Sequence, residues 1–252
     1  MTQSESVVPD TVTLRHHDAE VPGLLYQPPK PPATGLSPAI VLAAEAYGIN
    51  EFTRTVAGRL AHEGYVVVVP DYYRGRGLSD PENYADFTEV MEFIADLDFA
   101  AATHDIMAGV DHARGLPNVD PGQVALWGYC TGGTLAMLAS SLVPGLAATV
   151  LFFPSQPTFP DLGPKRPLQP VDLLWNVSAP VLLIYGDQDA MLVAARPEIE
   201  RRLVQWGIGH EIRVYPGAGH AFSAPVPPLR HEGADAASWA DALAFLRQHT
   251  TG

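Results

Sequence analysis

The sequence holds one cysteine, Cys130, in 252 residues. A lone thiol excludes an internal disulfide framework and any zinc site built from several thiolates. Charge is also scarce. Only 17% of residues are Asp, Glu, Lys or Arg, so long disordered or coiled-coil stretches are not expected. Basic residues are the scarcer sign: 15 Lys and Arg stand against 28 Asp and Glu, a formal net charge of -13. Such a surface repels phosphate backbones and anionic lipid, so neither nucleic acid nor membrane is expected as a partner. No apolar run approaches the ~20 residues of a membrane span. The N-terminal MTQSESVVPD lacks a basic n-region and an apolar h-region. It does not look like a secretory signal, and a cytoplasmic location is expected. There is no internal repeat or low-complexity tract.

Apolar residues make up 47% of the chain, enough for a sizeable core. Residues 1–10 are expected to form a flexible tail and residues 11–252 a single domain. Thr11–Arg15 and Gly23–Tyr26 have the character of an antiparallel pair. Proline-rich 27–37 has that of a surface connector. Then the pattern becomes regular. Short apolar runs at 39–43, 65–69, 123–127, 147–153, 181–185 and 211–215 alternate with helical stretches. Asn50 is placed to cap a helix ending before Gly64, and residues 90–114 are helical, in one piece or two. Pro197 is placed at the first turn of a helix running to Trp206, and 234–249 closes the chain. Nearly all-apolar strands alternating with helices predict an α/β fold, a mostly parallel sheet covered on both faces. In such sheets, ligands bind beyond the carboxyl ends of the strands.

Polar and titratable groups follow five of these strands. They are Glu45-Ala46-Tyr47-Gly48, then Asp71 to Gly77, then Gly128-Tyr129-Cys130-Thr131-Gly132-Gly133, then Gly186-Asp187-Gln188-Asp189, and finally Gly217-Ala218-Gly219-His220-Ala221-Phe222. Gly-x-Cys-x-Gly between a strand and a small-residue helix is the nucleophile-elbow pattern with sulfur in place of oxygen. The glycines permit a sharp turn against neighbouring backbone. The helix N-terminus favours a thiolate. Cys130, an acid and His220 come in the chain order of the α/β-hydrolase scaffold. Asp187 and Asp189 compete as the acid. Asp189 is preferred because it is set back in the loop, whereas Asp187 suits the turn itself.

These motifs closely resemble the dienelactone hydrolases, the cysteine branch of the α/β-hydrolases. The resemblance runs from about residue 10 to the C-terminus and leaves no separate cap domain. It implies a Cys130–His220–Asp189 triad, with Glu45 interacting with the thiol until substrate displaces it. It also implies an oxyanion hole from the backbone N–H groups of Ala46 and Thr131. Attack by Cys130 on a small ester or lactone would give an acyl-thioester that water hydrolyses, with no cofactor and no metal. Family members that act on dienelactone hold the substrate carboxylate with two arginines. Arg74 or Arg76 can supply the first, but no arginine follows His220 until Arg230. Tyr47, Tyr129 and Phe222 are candidates to line an apolar pocket, with Tyr73 and Phe153 beside them. A monomer is expected, a dimer being the alternative. Two other readings stay open: a non-catalytic ligand-binding protein on this fold, and an acyl-transfer or cyclisation enzyme.

Overall fold

The computed structural model describes residues 7–33, 35–78, 88–227 and 229–250. Eight strands form one mixed sheet. They are β1 (Asp10–His16), β2 (Ala19–Tyr26), β3 (Ser37–Ala43), β4 (Val66–Pro70), β5 (Val119–Tyr129), β6 (Thr149–Phe152), β7 (Val181–Gly186) and β8 (His210–Tyr215). The helices are α1 (Glu51–His62), α2 (Thr88–Asp96), α3 (Phe99–Gly115), α4 (Thr131–Leu142), the short α5 (Pro170–Leu173), α6 (Ala190–Gln205) and α7 (Glu232–His249). The strand order is β1-β2-β4-β3-β5-β6-β7-β8. β1 and β2 pair antiparallel, β2 joins β4 antiparallel, and β4 through β8 run parallel. This is the α/β-hydrolase fold.

The central parallel strands are buried, as Val66 to Val69 illustrate, while the edge strand β8 is partly exposed. Helices cover both faces for that reason. α3 and α4 pack together on one face. α1 and α7 share the other, where the Arg59 guanidinium stacks 3.7 Å over the Trp239 ring. Trp127 of β5 lies between sheet and helix there, 5.1 Å from Phe152 and 5.5 Å from Trp239. Among the described residues, no helix is long and apolar enough to cross a membrane.

Caps set several helix starts. Asn50 Oδ1 accepts from Thr53 N at 2.9 Å and Asp98 Oδ1 from Ala101 N at 2.9 Å. Asp189 Oδ1 accepts from Leu192 N at 3.2 Å and opens α6 at Ala190. The helix expected to begin at Pro197 therefore begins seven residues earlier, and Pro197 lies inside it. The cap overrides the usual preference of proline for a first turn.

From β3 the chain moves outward to β4, then returns to place β5 on the opposite side of β3. The strand order thus reverses between β3 and β5. A crevice opens at the carboxyl end of a sheet at such a point. The loops that follow β3 and β5 carry Glu45 and Cys130.

Candidate active site

The elbow is built by exclusion of side chains. A Cβ on Gly128 would lie 2.2 Å from Gly132 O, and one on Gly132 would lie 2.2 Å from both Ala43 O and Ala44 O. The start of α4 is therefore pressed against the end of β5 and the end of β3 at once. Cys130, between them, takes φ 51° and ψ -116°, a conformation that costs a non-glycine residue of order 1–3 kcal/mol. The fold fixes it from three sides. Cys130 N donates to Phe152 O at 3.0 Å, and Cys130 O accepts from Thr134 N at 3.1 Å and from Ser155 N at 3.0 Å. Phe153 and Ala221 also have positive φ. Three of the five non-glycine residues with positive φ among the described residues thus border the same cavity.

The loops after β7 and β8 interlock. A Cβ on Gly186 would meet Ala218 O at 2.0 Å. Asp187 N donates to Tyr215 O at 3.1 Å, Gln188 N to Ala218 O at 2.9 Å, and Gly217 N to Asp187 Oδ1 at 2.7 Å. Asp187 thus ties one loop to the other. Asp189, 3% exposed, faces inward. Its Oδ2 lies 2.7 Å from His220 Nδ1, while its Oδ1 holds the α6 cap. On the far side of the ring, His220 Nε2 lies 3.2 Å from Cys130 Sγ. Phe153 packs edge-on against the imidazole at 5.3 Å. Burial alone would lower the His220 pKa. The negative charge of the Cys130 sulfur and the Asp189 hydrogen bond outweigh it and push the value up to about 10.

Glu45 is nearly buried on the cavity wall. Its Oε1 accepts from Asn50 Nδ2 at 2.7 Å and its Oε2 from Tyr47 N at 3.2 Å. The Tyr72 hydroxyl lies 3.0 Å from Ala44 O and 2.8 Å from Glu45 O, and donates to this pair of carbonyls. Burial, with the neighbouring Tyr73 and Glu45, raises the Tyr72 pKa well above the ordinary value, so the phenol keeps the proton it donates. Thr131 is the first residue of α4, so its N–H has no acceptor one turn earlier. Among the described residues, the Ala46 N–H has no backbone acceptor either. The sequence gives Asn50 no role beyond its helix cap, and gives Tyr72 no role at the site. The helix cap fully accounted for Asn50, and nothing local links Tyr72 to a carbonyl 27 positions away.

The sulfur, the imidazole and Glu45 open onto a cavity of about 330 Å³. Tyr47 and Tyr129 line it with Phe52, Phe153 and the apolar stripe Val90, Met91 and Ile94 of α2. Three expectations need correction. Phe222 does not line the cavity; it is fully buried behind it, packed on Phe153 and Tyr215. Arg74 does not line it either. The buried Asp105 of α3 takes both arms of its guanidinium, at 3.1 Å to Nε and 2.6 Å to Nη2. Arg76 is also outside, with Nε donating to Tyr73 O at 3.3 Å.

With this geometry in place, comparison with known proteins is informative. The model of the dienelactone hydrolase family matches residues 21–250. A Salmonella typhimurium protein, by name a provisional carboxymethylenebutenolidase, is 30% identical over 228 residues, covering 89% of this chain and 82% of its own. An Escherichia coli K12 protein with the same name is 27% identical over 252 residues, covering 98% and 90%. A crystal structure of a provisionally named dienelactone hydrolase from Klebsiella pneumoniae superposes with a TM-score of 0.83 at 26% identity, over 97% of this chain and all of that one.

Proposed function

We propose, from the premise that this chain belongs to the dienelactone hydrolase family and is a hydrolase, that it cleaves a small carboxylic ester or lactone with Cys130 as nucleophile. The observation that carries this is the continuous line of contacts from Cys130 Sγ through the His220 ring to Asp189, with the sulfur on a cavity wall.

With its pKa pushed up to about 10, the ring carries a proton at neutral pH, and in the proposed mechanism the sulfur reacts as a thiolate beside it. The thiolate attacks the carbonyl carbon. A C–S bond forms as the carbonyl π pair moves onto oxygen. The N–H groups of Ala46 and Thr131 are the donors for that oxyanion. Collapse breaks the bond to the leaving oxygen, and His220 gives that oxygen its Nε2 proton. The acyl group now sits on sulfur as a thioester, and the sulfur's negative charge is gone. One main cause of the raised imidazole pKa has gone with it, while the burial that favours the neutral ring remains. The same ring can then accept a proton from water attacking the thioester. Departure of the acid restores thiolate and imidazolium. Asp189 keeps Nδ1 as the donor side of the ring in both halves.

The two aspartates provide the test. Asp189→Asn keeps a side-chain oxygen for the α6 cap but removes the charge behind the imidazole. It is expected to lower kcat for p-nitrophenyl acetate by ~10³–10⁴. Asp187→Asn only loosens the loop clamp and is expected to stay within about tenfold of the parent. Steady-state nitrophenol release measures both. The larger loss at Asp187 would sink the assignment of the acid.

A further inference from the structure

The cavity wall carries almost no charge that could meet an anion. All 15 Lys and Arg side chains lie within the described residues, and none lines the cavity. The arginines that sequence places nearest are engaged elsewhere: Arg74 with Asp105, Arg76 with the Tyr73 carbonyl, and Arg230 with Asp235 at 2.8 Å. Only the His220 imidazolium is positive there, and it is already shared between Asp189 and the Cys130 sulfur. The other polar groups present are neutral or negative: the hydroxyls of Tyr47, Tyr129, Ser155 and Thr158, with Glu45 and Gln156. Glu45 is itself a carboxylate on the wall. Gln156, also on the wall, has a buried Oε1 with no hydrogen-bond partner among the described residues. Most of the remaining lining is apolar, and two of its methionines, Met91 and Met191, are 55% and 44% exposed.

Resting on the hydrolase reading above, we infer that this site takes neutral esters or lactones with an apolar acyl or aryl body and discriminates against substrates carrying a free carboxylate. An anion entering the cavity would shed water and gain no cationic partner, which is strongly unfavourable. A neutral chain would replace water against Val90, Ile94 and Phe52. The volume is at the small end of ligand pockets, which span ~300–1,000 Å³, so one compact body fills it. The chemistry is ordinary hydrolysis. The ester C–O bond breaks, water supplies the oxygen on the acyl carbon and both protons of the separated products, and no other reactant is needed.

The test compares p-nitrophenyl hexanoate with p-nitrophenyl 5-carboxypentanoate at pH 7.5. The neutral ester is expected to have a kcat/KM at least about 100-fold higher. Met91→Arg places a cation at the mouth on an exposed position of α2. It is expected to narrow that ratio about tenfold or more by raising the rate on the anionic ester. Equal rates, or preference for the anionic ester, would overturn the inference and leave the hydrolase reading standing. If neither ester is turned over, the hydrolase reading fails. The inference is then decided by binding: thermal shift with 2-octanone against octanoate. Stabilisation by the ketone alone supports it, and stabilisation by octanoate to the same degree or more overturns it.

Discussion

Cys130→Ala is expected to lower kcat/KM for p-nitrophenyl esters by at least about 10⁴-fold while the protein stays folded. The effect is large because the proposed bond-forming atom itself is removed. What remains is whatever the cavity and the Ala46 and Thr131 N–H groups do for attack by water. The fold should tolerate the change. Alanine keeps the Cβ, so the cost of φ 51° at this position is already present in the parent. The backbone bonds to Phe152, Thr134 and Ser155 do not involve the sulfur. Thermal unfolding within a few degrees of the parent, beside lost nitrophenol release, is the expected pair of results. Retained turnover would move the nucleophile to Glu45 or to a water held on the wall.

The second large effect concerns how the sulfur is activated. With the His220 pKa pushed up to about 10, the ring stays positive throughout the neutral range and loses its charge only as pH rises through that value. That charge, 3.2 Å from the Cys130 sulfur, is the proposed source of the nucleophile's reactivity. Iodoacetamide should accordingly alkylate the parent protein at pH 6 roughly 100-fold faster than it alkylates His220→Ala. The parent rate should change little between pH 6 and 8, and the variant's should climb steeply. Parallel profiles for the two proteins would show that the 3.2 Å contact does not hold the sulfur ionised. The proton would then have to leave during attack, not before it.

Sequence and structure agree best where sterics leave no choice. Gly128, Gly132 and Gly186 stand where any side chain would collide with backbone near 2 Å, so the glycine pattern around Cys130 and Asp187 announces the turns directly. The parallel sheet is legible because central strands such as β4 and β7 are nearly continuous apolar runs, buried on both faces. Other features depend on partners far along the chain. Arg74 sits on a strand-end loop that faces the right rim, but Asp105, 31 residues later on α3, captures it. No local pattern reveals that pairing. The α2 stripe of Val90, Met91 and Ile94 has the spacing of any core-facing helix. Only the tertiary arrangement turns it into a cavity wall. Asp189 both caps α6 and faces His220, and the second role hides the first in the sequence, where Pro197 looks like a helix start.

The central claim is that acyl groups pass through the Cys130 sulfur. Acid-quenching the protein milliseconds after mixing with p-nitrophenyl acetate, followed by peptide mass spectrometry, tests it most directly. One acetyl group is expected on the peptide containing Cys130, appearing with the first burst of nitrophenol and decaying as turnover proceeds. Ester hydrolysis at full rate with that peptide never acetylated at any time point would contradict it.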